Sequence, residues 1–520
     1  MNLYPIGIQD FEEVRKGGFV YVDKTRHTFD LIRGGKHYFL SRPRRFGKSL
    51  LLSTLKYFFK GRRDLFTGLW VDTEADWDWQ PHPVLHFSFS SSGYKDIGLE
   101  KALLRLLREG AEQYGLTLTE EGLSGRFKEL IQKLGSGERK VVLLIDEYDK
   151  PLIDYLDDLP QANANRETLK NFFSVLKDCD GYIRFFLITG VSKFSKVSIF
   201  SDLNNLEDLT INRFSATLTG YTQAELESCF AQELTQIAEE HNTSRQDLIQ
   251  RVRTWYNGYR WTGSETLYNP FSILNFMKLR TFANYWWQSG TPTFLLKALH
   301  REFQFDLREV EVGNSAFESY SLENLDWRGL LFQTGYLTIK KYTPEYDLYT
   351  LGYPNREVED AMSQHLLATF REGAAAETQA FFAHIKMALD AGDMEKLVTQ
   401  VNALFASIPH QIFDAKREGF FHAVLHLTFQ GIGLLTRSEV NTSLGRVDTV
   451  VWAKKAIYVM EFKLDGSAAE ALGQIRGKRY GDVWLGSGMP VMAVGICFSS
   501  ETRTVAELEI KPYAELIAEN

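Results

Sequence analysis

The stretch YFLSRPRRFGKSLLLSTLKYFF, Tyr38 to Phe59, carries the passage from strand to helix on which the fold turns. KHYFL, Lys36 to Leu40, reads as a buried strand, and from Ser49 onward Leu51, Leu55, Phe58 and Phe59 recur at helical spacing. Gly47-Lys48-Ser49 lies at the junction. Such a junction offers unpaired helix N–H groups and the positive end of the helix dipole to an anion, with Lys48 placed to reach terminal phosphates and Ser49 to ligate Mg²⁺. The spacing departs from G-x-x-x-x-G-K-[ST] at one place, where Arg42 stands in the slot of the first glycine.

A second motif supports the first. In KVVLLIDEYDKPL the apolar strand Val141–Ile145 ends in Asp146-Glu147, which suits one carboxylate in a Mg²⁺ shell and one that orients an attacking water. A third apolar strand, IRFFLITG, carries Thr189 at its end, a polar sensor candidate beside a terminal phosphate. Strands alternating with helices predict a parallel α/β sheet with the ligand at the carboxyl ends of the strands. The competing reading makes Asp146-Glu147 a helix cap and Arg42, Arg44 and Arg45 a solvated turn; two motifs in the right order favour a nucleotide.

The whole chain sets the bounds. Its 520 residues predict two or three domains, and 44% hydrophobic with 24% charged residues excludes a disordered or fibrous protein. A net charge of -8 excludes a global basic field, so contact with nucleic acid must come from local patches. Cys179, Cys229 and Cys497 are far apart, which implies neither a disulfide framework nor a zinc knuckle. MNLYPIGIQDFEEVRK lacks the apolar core of a signal peptide and no run has the length of a membrane span, so a cytoplasmic protein without membrane contact is expected.

PIGIQDFEEV, YVDKT, LSRPRRFGKSL, LIDEYDKPL, LITGVSKFSKVSIFSDLNNLEDLT, WYNGYRW and LYNPFSIL resemble the AAA-ATPase-like family of bacterial P-loop proteins. The resemblance implies a P-loop NTPase sheet with a helical lid that takes ATP and Mg²⁺. It implies nucleotide contacts from Arg44, Arg45, Gly47, Lys48, Ser49, Asp146 and Thr189, with Ser49 and Asp146 on the metal and Glu147 catalytic. Arg42 becomes a family trait in this light. In the expected lid, GYTQAELESCFAQEL places Thr222 and Glu225 at the positions of a capping box. WYNGYRW, Trp255 to Trp261, reads either as a stacking platform for single strands or as an aromatic-packed turn around Asn257-Gly258, and the packed turn is preferred. Further on, LLFQTGYLTIKKY to YTLGYPNREV alternates like a hairpin.

SLGRVDTVVWAKKAIYVMEFKLDG carries the second chemistry. Strand-like runs Arg446–Ala453 and Ala456–Leu464 flank Lys454-Lys455, and a two-residue hairpin would pair Ala453 with Ala456 and set Asp448 opposite Glu461. Lys463 shares the Glu461 face by strand alternation. Two facing carboxylates repel unless a cation stands between them, and Mg²⁺ accepts one or two carboxylates with water and phosphate oxygens. Lys-Lys is poor chemistry for a tight turn, so an odd-length loop would spoil this register.

This strand-turn-strand pattern followed by a helix resembles the PD-(D/E)XK nuclease superfamily. The resemblance implies a restriction-endonuclease-like α/β domain, with Asp448 and Glu461 as metal ligands and catalytic groups, joined by Lys463 and by Gln474 in SAAEALGQIRGKRYGDVW. Arg476, Lys478 and Arg479 supply a local basic patch for phosphates. Glu418, from the helix REGFFHAVLHLTFQ, and Glu439 are secondary metal candidates, while His422 and His426 are left out.

Taken together, these motifs predict an ATPase core at 1–215, a lid at 216–300, a middle module at 301–360 and a nuclease-like domain at 361–520. The expected function is ATP binding and hydrolysis joined to Mg²⁺-dependent cleavage of nucleic acid, DNA before RNA. The rival is a nucleotide-dependent switch that binds nucleic acid or protein without cutting. A homo-oligomer stays open, since no arginine finger can be assigned from one chain.

Overall fold

Strands β1 (His37–Ser41) and β3 (Val141–Asp146) are buried at every position, which requires a sheet covered on both faces. With β2 (Val84–Ser88), β4 (Ile183–Gly190) and β5 (Glu207–Asp208) they form a parallel sheet in the order β2-β3-β4-β1-β5. The computed structural model describes residues 2–193, 199–200, 205–286, 307–317, 326–371, 375–408, 413–414, 416–432, 434–442 and 444–518. They divide into two compact units, one of Met1–Gly290 with Arg308–Arg356, the other built mainly from Glu357–Asn520.

In the first unit, helix α1 (Lys48–Phe59) starts directly from the turn after β1 and lays Leu52, Leu55, Phe58 and Phe59 on a core shared with Val142, Leu144, Phe185 and Leu187. Helices α2 (Gln223–Cys229), α3 (Ala231–Glu240), α4 (Arg245–Tyr256) and α5 (Pro270–Leu279) make a second core around Leu226, Phe230, Leu234, Val252 and Phe276. Thr222 and Glu225 do form a capping box at the start of α2. Short strands β6 (Asn257–Tyr259) and β7 (Leu267–Tyr268) pair between α4 and α5.

The same unit holds β8 (Val310–Gly313), helix α6 (Trp327–Thr334), β9 (Thr338–Thr343) and β10 (Leu348–Gly352), whose strands form an antiparallel sheet in the order β8-β10-β9. The alternating pattern is a hairpin only from Thr338 onward; LLFQT is the end of α6. Asp326 caps that helix through Arg328 N–H, and Gly335, at φ +89°, ends it. Paired caps override a short apparent alternation.

The second unit contains helix α7 (Glu418–Gly431), strands β11 (Leu435–Thr442), β12 (Gly445–Trp452) and β13 (Ile457–Leu464), helix α8 (Ala468–Gly477), β14 (Val491–Ser499) and β15 (Thr504–Pro512). Its sheet runs β11-β12-β13-β14-β15, antiparallel except for the parallel pair β13–β14 that α8 connects. Val450, Val459, Leu472, Ile475 and Ala493 close the core between sheet and helix. The fold is thus α/β, with a parallel N-terminal sheet and a separate mixed C-terminal one. Among the described residues no helix is long and apolar enough to cross a membrane.

Candidate functional site

The turn Arg42–Gly47 is shaped by Arg42. Its guanidinium is fully buried, donating to Ser41 O (2.8 Å), Thr210 O (2.9 Å) and Ser215 O (3.1 Å), and it lies 4.7 Å from the Trp261 ring centroid. Burial pushes its pKa down to about 9. Where the common pattern has a glycine, this chain has a strut that ties the loop to the β5 exit and to WYNGYRW.

Gly47 caps α1 at φ +90° without a side-chain cap bond, and a Cβ there would meet nothing within 4 Å. The first-turn N–H groups are therefore left to an anion. Buried Lys48 donates to Arg42 O (2.9 Å) and Pro43 O (3.0 Å), and its pKa is lowered by burial against the pull of Asp146, Glu147 and Asp149. Arg44, Arg45, Gly47, Lys48, Ser49 and Glu147 all line a cavity of about 370 Å³. Its other walls include Ile6 and Ile8 from the N-terminal segment and Tyr221, Phe271 and Leu274 from the lid region. Arg45 is exposed, with its guanidinium 5.2 Å from the Phe271 ring centroid. The cavity thus combines cationic, polar and apolar walls.

Asp146 and Thr189 are buried and do not line that cavity. Thr189 Oγ1 donates to Asp146 Oδ1 at 2.7 Å, so the sensor candidate is spent on a carboxylate and not on the cavity. Glu147 adopts φ +54°, a left-handed backbone at the strand end. Asp149, not among the residues named from the motifs, holds the chain leaving β4. Fully buried, its Oδ2 accepts from Val191 N (2.9 Å), Ser192 N (2.7 Å) and Ser192 Oγ (2.8 Å), and burial raises its pKa. The available signal was a third acid in DEYDK that a helix start alone does not require.

WYNGYRW is packed, but it is the end of α4 followed by β6 and not a turn throughout. Tyr259 and Trp261 are buried against Phe46 (4.9 and 5.5 Å between centroids), and Arg260 donates from N to Thr338 Oγ1 (2.7 Å) and from Nε to Ile339 O (2.7 Å). The motif joins the lid region to β9 and offers no buried ring of this pair to a base.

In the second unit the hairpin has the anticipated register. Ala453 N donates to Ala456 O (3.0 Å), and the strands pair from Trp452–Ile457 to Thr449–Met460, which leaves Asp448 and Glu461 as the next residues past the last pair. Phe462 N donates to Asp448 Oδ2 at 2.8 Å. Lys463 Nζ donates to Glu461 Oε1 (3.3 Å) and Phe462 O (2.9 Å), and Gln474 Nε2, from α8, donates to the same Glu461 oxygen. The four residues therefore converge.

Glu461 is 2% exposed, and its Oε2 is buried with no hydrogen-bond partner. Burial and then Asp448 raise its pKa to about 7, against Lys463; burial also raises Asp448. An uncompensated carboxylate oxygen beside a second carboxylate fits a divalent cation. Among the described residues no group of three or more His, Cys, Asp or Glu gathers as a metal cage. Water and phosphate oxygens would complete a Mg²⁺ shell here.

Glu418 lies at the same end, its Oε2 accepting from Leu464 N (3.1 Å) and its pKa raised by burial and then by Asp448. The Glu439 side chain lies outside the described residues. His422, half-buried, meets Thr449 Oγ1 through Nε2 (3.0 Å), and buried His426 meets Gln430 (2.7 Å). Arg446, Arg476, Lys478 and Arg479 are exposed.

A family model described as "Predicted AAA-ATPase" matches residues 5–200, and one for the PD-(D/E)XK nuclease superfamily matches residues 416–508. A protein of Azotobacter chroococcum mcd 1, described as an uncharacterized protein in the vnfD 5′ region, is 39% identical over 515 residues, covering 96% of this chain and 97% of that one. No solved structure matches the chain. The chain belongs to the predicted AAA-ATPase family, with an ATPase-like N-terminal region and a C-terminal domain of the PD-(D/E)XK nuclease superfamily.

Proposed function

We propose that the chain is an ATP-hydrolysing protein whose C-terminal domain cleaves phosphodiester bonds in nucleic acid, DNA in preference to RNA, under control of the nucleotide. The observation that carries the reading is the convergence of Asp448, Glu461, Lys463 and Gln474 around a buried carboxylate oxygen without a partner. A binder that never cuts has no need of that arrangement. The division at residues 215, 300 and 360, the cytoplasmic location and the assembly of several copies belong to the same proposal.

In the nuclease site Asp448 and Glu461 would hold Mg²⁺, which when bound supplies neutralisation of phosphate charge and a more acidic water. Gln474 fixes Glu461 through Oε1 and leaves Oε2 for the cation. Lys463 Nζ lies beside Glu461, where it positions or helps deprotonate an attacking water. Arg476, Lys478 and Arg479 bind the flanking backbone. In the ATPase site Arg44, Arg45, Gly47 and Lys48 cradle the phosphates, Ser49 and Asp146 would hold Mg²⁺, Thr189 orients Asp146, and Glu147 orients water. Ile6, Ile8, Tyr221 and Phe271 receive the base.

The test uses purified full-length protein with labelled DNA and RNA and Mg²⁺ or Mn²⁺. Glu461→Ala is expected to abolish cleavage while nucleotide binding persists, and Lys48→Ala to abolish nucleotide binding. Equal behaviour of wild type and Glu461→Ala on every substrate would sink the nuclease assignment.

A further inference from the structure

Helix α6 lies outside every nucleotide motif, yet its C-terminal turn meets the phosphate loop and the exit of the sensor strand. Gln333, 2% exposed, accepts from Lys193 N–H through Oε1 at 2.8 Å. Two residues on, Gly335 has φ +89°, and a Cβ there would stand 2.6 Å from Pro43 Cγ of the loop. The Phe332 ring packs 5.8 Å from Trp261, which also meets the Arg42 guanidinium.

The chain leaving β4 is held at successive backbone positions. Thr189 is bonded to Asp146, Val191 N and Ser192 N to Asp149, and Lys193 N to Gln333. Three consecutive buried N–H groups therefore depend on two side chains, one from the DEYDK turn and one from α6. A buried N–H that loses its acceptor moves toward another, so removing Gln333 disturbs the segment that presents Thr189 to Asp146.

The loop side of this contact is held by Lys48. Lys48 Nζ satisfies Arg42 O and Pro43 O, and a phosphate competes for the same ammonium. A Lys48 turned to a phosphate would leave Pro43 O without this donor, and Pro43 is the residue seated against Gly335.

We propose that Gln333 is a positioning residue of the ATPase site and that the C-terminal turn of α6, Phe332 to Gly335, is where nucleotide occupancy is passed to the middle region. This rests on the nucleotide-site reading above. Gln333 touches no nucleotide; it acts through Lys193 and the sensor strand.

Hydrogen–deuterium exchange on the full-length protein, with and without the β,γ-imido analogue of ATP and Mg²⁺, gives the direct test. Amides of residues 331–337 are expected to change their exchange on binding, although none lines the cavity. Binding of the analogue, read by calorimetry, without such a change overturns the proposal and leaves the nucleotide site standing; absence of binding overturns the nucleotide site and the proposal with it. In turnover assays Gln333→Leu is expected to lose about tenfold in kcat with the nucleotide Kd within about threefold of wild type, and Gln333→Glu, which keeps an acceptor for Lys193 N–H, to recover most of the loss. Equal damage in both variants, or a matching loss of affinity, would mark Gln333 as packing only.

Discussion

Glu461 and Asp448 show how one pair of residues makes a site. A two-residue turn fixes the count along β12 and β13 and puts both residues one step past the last pair, Thr449–Met460, near enough for Asp448 to act on the Glu461 carboxyl, and burial then makes both charges costly. With the folded Glu461 pKa near 7 and its ordinary value at 4.5, the folded state binds the proton more tightly. The stabilising contribution is full below about pH 4.5 and is lost as pH rises through about 7. A cation that takes the carboxylate reverses this, so Mg²⁺ stabilisation should grow as the solution goes from pH 5 to pH 7, with proton release, by roughly the difference in bound protons. Thermal melts at both values, without nucleotide, measure it. A Mg²⁺ effect that is the same at both, or that survives unchanged in Glu461→Gln, would remove the metal from this carboxylate.

Hairpin and loop differ in how much of them the sequence discloses. Asp448, Glu461 and Lys463 could be brought together by counting outward from Lys454-Lys455, since strand alternation and a short turn are local rules. The strand-turn-helix around Lys48 was legible for the same reason. The Arg42 strut was not: its partners Thr210 and Ser215 lie 168 and 173 residues away, and periodicity reports which face is buried but not what covers it. The last five residues of α6, LLFQT, alternate like strand because an eight-residue helix is too short for its period to outweigh alternation, and capping by Asp326 and Gly335 decides the matter. WYNGYRW sits between these cases, its bend readable and its partners not. Trp261 is 2% exposed between Phe46, Phe332 and Arg42, so Trp261→Ala should cost about 3–5 kcal/mol in urea unfolding of the first unit's transition. A variant that keeps wild-type stability and instead loses affinity for single-stranded oligonucleotide would restore the stacking reading.

At the scale of the molecule, the first unit contains the phosphate loop, the lid helices and the sheet β8-β10-β9, and a chain junction with the second unit falls at Arg356–Glu357. Arg260 binds β9 through Ile339 O and Thr338, while Gly258 approaches Pro354 so closely that a Cβ would lie 1.9 Å from its carbonyl oxygen. The segment preceding the junction is thus fastened to the lid region, and α6 fastens the same region to the loop. A nucleotide that repositions Pro43 acts on an element whose chain continues into the nuclease domain, so nuclease rate should depend on nucleotide state. The prediction is a difference of about tenfold in DNA cleavage between ATP-analogue-bound and nucleotide-free protein, lost in Lys48→Ala, with the variant held at a fixed rate whatever nucleotide is added. Gln333→Leu should bind nucleotide and still fail to change the cleavage rate, which separates transmission from binding. Cleavage by wild type that is indifferent to nucleotide, under conditions where binding is measured in the same sample, would leave two independent enzymes on one chain.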